Sequence, residues 1–415
     1  MFLYIDPGTG SMLFTILIGV LSAAIYAFRG VWVKLKFLLS GGNSKRNDDA
    51  PIPFVFFTDS KRYWSIFKPL CDEMERRGEQ VLYLTAEPDD PLLDEEYHNI
   101  RAEYAGAGNK TFARMNMLKA DVVLSSTPGL DVYQWKRSRD VKWYTHVFHA
   151  ANDVTLYRMF GIDYYDALLL SGEYQIREIR ELEELRHLPE KELRLAGLPH
   201  MDALRERLMN AAPVPEHETT VLLAPSWGPS GILSKYGSRI IDRLLRTGFH
   251  VIIRPHPQSF ISEREMLDSL IGKYPESEQL QWDRSIDNFD VLHRSDILIS
   301  DFSGVIFDYT LVFDKPIIYA DTSFDDGMYD AWWLEDGLWT FSILDQLGLQ
   351  LTEENMVDIR SLIQQCLSEN RFKEGRDRAR AETWANIGRS VEAIADYLVE
   401  KRSELLSSEN NRRAA

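Results

Sequence analysis

Short, unbroken apolar runs recur along most of this chain with helical patterns between them, and few folds accept that rhythm. Pro53–Thr58 (PFVFFT), Val81–Ala86, Val122–Ser126, Trp143–His149 and Ala167–Ser171 are rich in β-branched and aromatic residues and bounded by turn formers. They read as strands buried on both faces, as a parallel sheet covered by helices requires. Between the first two, Trp64–Arg77 is apolar at Ile66, Leu70 and Met74 and ends at Gly78, a natural helix stop. The spacing therefore predicts a βαβ unit.

The rhythm breaks at the polar, proline-containing stretch Ala211–Glu218 and then restarts. Val221–Pro225, Val251–Arg254, Ile297–Ser300 and Ile317–Ala320 read as strands; Asp242–Thr247, stopped by Gly248, and Val305–Phe313 read as helices. The fold class is α/β: two Rossmann-like domains, expected over 51–212 and 213–406, whose strand C-termini face each other across a cleft. A chain of 415 residues suits two such domains better than one core. The long helical stretch Arg376–Leu406 is expected to pack back across the domains, with 407–415 as a frayed tail.

Residues 1–40 pose a separate question. Ser11–Phe28 carries no charge, and as a helix it spans roughly 27 Å at about 1.5 Å per residue, close to a bilayer core. Arg29, Lys34, Lys36, Lys45 and Arg46 follow it, whereas Asp6 alone precedes it, so the N-terminus is expected outside and the rest cytoplasmic. A cleaved signal peptide would carry its positive charge in front. Val31–Leu39 reads equally as a surface-lying amphipathic stretch or as more of the anchor, and 41–50 reads as a linker.

The formal charge of −17 argues against a general nucleic-acid binder, because phosphate backbones are held by basic faces. Cys71 and Cys366 offer neither a disulfide framework nor a metal-ligand spacing, which favours a reducing compartment.

Three segments carry candidate chemistry. In ILISDFSGVIFDYTLVFDKPIIYA, residues 297–320, a strand ends at Ser300, a tight Asp301-Phe302-Ser303-Gly304 loop follows, and a helix opens at Val305. Unpaired backbone N–H groups of such a first turn favour an anion, and Gly304 lets a phosphate approach; equally, Ser303 is a common type of helix cap. Arg254-Pro255-His256-Pro257 ends another strand, where two prolines stiffen the histidine at the expected cleft. Its bland alternative is a rigid surface loop. Thr145–Asn152 (THVFHAAN) closes a strand of the first domain, and alternation places His149 nearer the cleft than His146. A lone histidine on such a strand is more often a satisfied core residue than a base.

The order of these pieces resembles the CDP-glycerol glycerophosphotransferases, the teichoic-acid primase and polymerase type with a GT-B-like two-domain architecture. The likeness runs over roughly 120–325 and is strongest at RPHP and SDFSGVIFDYTLVFDKPIIY. It is weaker at VLLAPSW (221–227) and GLPHMDAL (197–204). It implies catalytic roles for His149 and His256, and donor nucleotide or phosphate contacts at Ser226, Arg254, Ser300, Asp301, Ser303 and Gly304. The implied reaction moves glycerol phosphate from CDP-glycerol to a hydroxyl of a lipid-linked or polymer acceptor at the membrane and releases CMP. No cofactor is required on this reading, and isolated carboxylates such as Asp301 leave a divalent cation such as Mg²⁺ open. HAAN stands where the family has His-Gly-Thr-Pro, His200 where arginine is usual, and DTSFDDGMYDAWW where a Tyr- and Arg-bearing segment is usual. These departures leave the acceptor less defined than the donor. A sugar-nucleotide glycosyltransferase and a non-catalytic anchored scaffold are the competing readings.

Overall fold

The computed structural model describes residues 50–414 apart from Ile286, 321–323 and Asp336, with side chains to residue 411. The anchor expected at 11–28, the stretch 31–39 and the linker to residue 49 lie outside the described residues. Among the described residues no helix is long and apolar enough to cross a membrane.

Two fully parallel sheets are present. The first has seven strands in the order β3-β2-β1-β4-β5-β6-β7, and the second six in the order β10-β9-β8-β11-β12-β13. The first comprises β1 (Ile52–Thr58), β2 (Val81–Thr85), β3 (Ile100–Tyr104), β4 (Ala120–Ser125), β5 (Val141–Val147), β6 (Ala167–Leu170) and β7 (Glu192–Leu195). The second comprises β8 (Thr220–Leu223), β9 (His250–Ile253), β10 (Leu280–Trp282), β11 (Ile297–Ser300), β12 (Ile317–Ala320) and β13 (Gly348–Leu351).

Strand alternation feeds a core on each face of each sheet. Phe54 and Phe56 enter one core with Phe67 and Met74, while Val55 and Phe57 enter the opposite core with Trp135 and Tyr144. Val221 and Leu223 likewise part company with Leu222. In each sheet the strand order reverses between its first strand and its fourth, β1 beside β4 and β8 beside β11. Crevices at such reversals, beyond the strand C-termini, are where open α/β sheets bind ligands.

The helix Trp64–Arg77 has the expected bounds, and Gly78 closes it at φ +73°, its N–H reaching the carbonyls of Met74 and Glu75. The helix expected over Val305–Phe313 is less regular: one α turn, Val305–Phe307, passes into a π turn over Asp308–Val312. Such bulges concentrate at functional sites.

The domain boundaries need one correction. The stretch expected as a single helix over Arg376–Leu406 is two, Arg371–Thr383 and Ser390–Ala414, broken at Trp384–Arg389. The first packs on the second sheet through Ala379, whereas Ile394, Ala395, Tyr397 and Leu398 of the second complete a core of the first sheet. Residues 390–414 therefore belong with the first domain rather than closing the second. The tail expected beyond 407 is helix up to Ala414, and Glu409 pairs with Lys142 at 2.8 Å. The helix thus continues past its packed residues Ile394–Leu398, tied to Lys142 of β5 through Glu409.

The crossing is tight. A Cβ on Gly172 would lie 2.0 Å from the carbonyl oxygen of Glu382, and one on Gly197 would lie 2.1 Å from that of Ala385. Asp202, the acidic residue of GLPHMDAL, accepts hydrogen bonds from the backbone N–H groups of Gly388 and Ser390 and from the Trp384 indole. Its carboxylate thereby opens the returning helix, as an acidic residue at a helix start does.

A second seam joins the domains along 324–341. Asp153 of the first domain accepts from the N–H groups of Trp339 and Thr340, both at 2.8 Å. The Trp339 ring stacks on Tyr174 and Phe307. Arg158 and Tyr329 form an antiparallel bridge, and Arg186 pairs with both Asp163 and Asp330.

Candidate active site

The reversal point of the first sheet supplies a loop that the sequence reading passed over. After β1, the Ser60 hydroxyl accepts from the Arg62 backbone N–H and, at 3.2 Å, from its Nε. These bonds hold the exposed Arg62 side chain at the loop. Tyr63 follows, with its ring centroid 4.8 Å from that of His149. Ser65, in the first turn of the next helix, lies 3.0 Å from His200 Nδ1 through its hydroxyl, and His200 Nε2 lies 3.4 Å from Asp308 of the second domain.

β5 ends at Val147, so His149 stands just past the strand that was expected to include it, while His146 on the strand is fully buried. Burial, then the charges of His200 and Arg62, push the His149 imidazole down to about 4, against the pull of Asp308. It is therefore neutral at neutral pH and has a lone pair to offer. Burial also disfavours a charge on His200, but Asp308 outweighs it and raises that imidazole.

On the opposite wall, His256 follows β9. Its Nδ1 accepts the Gln258 backbone N–H at 3.1 Å, so in the neutral ring the proton sits on Nε2, which becomes a donor. Burial, then Arg62, lower its affinity for a second proton. Arg62 is thus a charged group whose field reaches both imidazoles. The two walls also meet directly: a Cβ on Gly304 would lie 3.7 Å from Asn152 Nδ2 and 3.9 Å from Ala150 Cβ, facing the HAAN loop.

The remaining donor-side residues divide. Ser303 and Gly304 stand at the start of the helix that opens at Val305. Arg254 is tied down, one guanidinium nitrogen to the Asp283 carboxylate and another, at 2.9 Å, to the Ser285 carbonyl. Its charge is largely offset, so it contributes less to a diphosphate than a solvated arginine would. Ser300 is fully buried and donates its hydroxyl to the Ala224 carbonyl at 2.7 Å, and the buried Asp301 carboxylate accepts from the N–H groups of Ser226 and Ile232. Ser300 and Asp301 therefore brace the end of β8 against β11 at the reversal point, and Asp301 also borders a cavity. The sequence reading treated Ser300 as a ligand contact because it saw the loop without its neighbouring strand.

A cavity of ≈ 640 Å³ adjoins Asp301 and Phe302 on the β12–β13 side, lined by Tyr319, Phe324, Glu335 and Phe341 among others. Neither His149 nor His256 lines it. Among the described residues no group of three or more His, Cys, Asp or Glu is placed to hold a metal.

Two Rossmann-like sheets meeting across such a cleft, with a returning C-terminal helix, have the GT-B-like architecture. Residues 157–331 match the family described as CDP-glycerol:poly(glycerophosphate) glycerophosphotransferase. The family resemblance read from RPHP and SDFSG thus holds over that stretch, which contains His256 and Gly304, while His149 lies just before it. Match and architecture together define a GT-B-like transferase. No curated protein matches the chain. Among solved structures, S. aureus MnaA with UDP is 11% identical with a TM-score of 0.54, covering 83% of this chain and 95% of that one. The Methanocaldococcus jannaschii UDP-GlcNAc 2-epimerase with UDP-GlcNAc and UDP is 13% identical with a TM-score of 0.51, covering 85% and 100%. At such identities the likeness shows the fold.

Proposed function

We propose that the chain transfers glycerol phosphate from CDP-glycerol to the hydroxyl of a membrane-linked acceptor and releases CMP. What supports this reading is that the charge of one guanidinium, Arg62, acts on both His149 and His256, and that Gly304 faces the loop that follows His149. The acceptor oxygen attacks the glycerol-bearing phosphorus, its proton passes to Nε2 of His149, and the P–O bond to CMP breaks. His256 Nε2–H, Arg62 and the backbone at 303–305 stabilise the negative charge that moves onto the leaving phosphate. Positioned base catalysis contributes about 100- to 10,000-fold, and preorganised donors often more. A segment at 11–28 spanning the membrane would hold the enzyme at the cytoplasmic face beside a lipid-linked acceptor, raising the local concentration of both.

The test is CMP release from CDP-glycerol with membrane extract as acceptor source. Acceptor-dependent CMP supports the reading, whereas turnover of a UDP-sugar alone transfers it to the glycosyltransferases. Gly304→Ala provides a second check. Its backbone is ordinary at φ −58° and the added methyl meets only normal contacts, so thermal stability should be unchanged. Affinity for CMP should nevertheless fall about tenfold, about 1.4 kcal/mol, because the methyl occupies the phosphate approach.

The pH profile follows from the imidazole. With His149 held near 4, kcat/KM should stay level as pH falls through 6.5 and decline only toward about 4. His146, which burial pushes down to about 3, and His149 both take up protons more readily once unfolded. Stability should therefore be full above pH about 6.5 and fall progressively toward pH 3–4. A rate decline centred near 6.5 without loss of structure contradicts the assignment.

A further inference from the structure

Tyr157 connects two histidines that the reaction treats differently. Its hydroxyl lies 3.3 Å from His149 Nδ1 and 3.2 Å from His146 Nε2. The position of Tyr157 is determined on three sides. Its ring stacks on Phe148 with centroids 5.6 Å apart, its N–H closes the turn at Val154, and its carbonyl accepts the N–H of Asp330 at 2.9 Å from the second domain. His146 is enclosed by the rings of Phe148, Tyr165 and Tyr157, and its Nδ1 has no hydrogen-bond partner among the described residues. This arrangement is costly to leave half-satisfied in a buried site, and the catalytic reading of His149 gives it a use.

We propose that Tyr157 is a positioning residue that fixes the ring and tautomer of His149, with His146 as its anchor. The direction of the chain follows from what a base needs, and in this respect the inference rests on the base role of His149. For Nε2 to hold a lone pair toward the acceptor, Nδ1 must carry the proton and donate it to the Tyr157 oxygen. The Tyr157 hydroxyl then donates to His146 Nε2. When His149 takes the acceptor's proton, both of its nitrogens are protonated and Nδ1–H keeps the same partner, so no hydrogen bond needs to be exchanged during the reaction. The reverse direction places a hydrogen on His149 Nε2 and makes that atom a donor. Because the Tyr157 carbonyl is held by Asp330, the second domain's docked strap also maintains the chain.

The experiment is ¹⁵N NMR of the histidine side chains in the wild-type chain, paired with kinetics of Tyr157→Phe. The wild type should show His149 protonated at Nδ1 with a pyridine-type Nε2. Tyr157→Phe should disturb that pattern and lower kcat about 10- to 100-fold, the scale on which outer partners of metal-bound histidines act, with KM little changed. A wild-type His149 protonated at Nε2, or a phenylalanine variant with unaltered His149 shifts and kcat, overturns the proposal. Full activity in His149→Ala would instead defeat the base reading, while the spectra would still report on the hydrogen-bond chain.

Discussion

Replacing His149 with alanine should lower CMP release from CDP-glycerol by about 100- to 10,000-fold while leaving the circular dichroism spectrum and melting temperature close to those of the wild type. His149 stands past the end of β5 instead of within the sheet. Its removal leaves no large core cavity. What is lost is the lone pair on a neutral imidazole held between Tyr63 and Tyr157. His256→Ala should act differently. It removes a donor to the leaving phosphate, so donor affinity and turnover should fall together. Undiminished transfer in the alanine variant at 149 assigns the proton to another group.

The second large effect concerns stability. Asp330→Ala should cost about 1–3 kcal/mol in urea or thermal unfolding, because it removes one of the two carboxylates on the buried Arg186, leaving Asp163, and takes the acceptor from the Phe160 N–H. The Arg186 side chain is 6% exposed and that of Asp330 is 0% exposed, and the guanidinium is enclosed between Phe160 and Trp333. The same carboxylate accepts the Phe160 N–H across the domain seam at 2.8 Å. Arg239–Glu353, also an arginine–carboxylate pair, has both side chains more than half exposed and should contribute at most about 1 kcal/mol. Equal losses for Asp330→Ala and Glu353→Ala would show that the seam carries no special weight. Greater sensitivity of Asp330→Ala to limited proteolysis within 324–341 should accompany its instability.

The central strands were legible in the sequence because each is an unbroken apolar run of β-rich residues, buried on both faces. The reading missed β3, β7, β10 and β13, which are the four sheet edges. Edge strands face a neighbour on one side only, so IRAEY and ELRL carry charges, LQW has only three residues, and GLQL is interrupted by Gly348 and Gln350. The return of 390–414 to the first domain was also hidden, since an amphipathic helix does not specify which sheet it covers.

The candidate site was legible where chemistry is concentrated in consecutive residues, as at RPHP and SDFSG. It was hidden where chemistry is assembled from afar. Arg62 and Tyr63 had one available signal, their place directly after the first strand of a reversing sheet. Tyr157 had none, because its role exists only through a hydroxyl between two rings from a neighbouring strand. Ser300 shows the opposite case: a polar residue in a motif whose hydroxyl serves the motif's own architecture.

The most direct measurement is a structure of the chain with CDP-glycerol bound. The account predicts the diphosphate between the two walls, within hydrogen-bond distance of His256 Nε2 and the backbone at 303–305, with the glycerol-bearing phosphorus turned toward His149 Nε2. A diphosphate seated away from that gap, such as in the β12–β13 cavity with both imidazoles uninvolved, would contradict it.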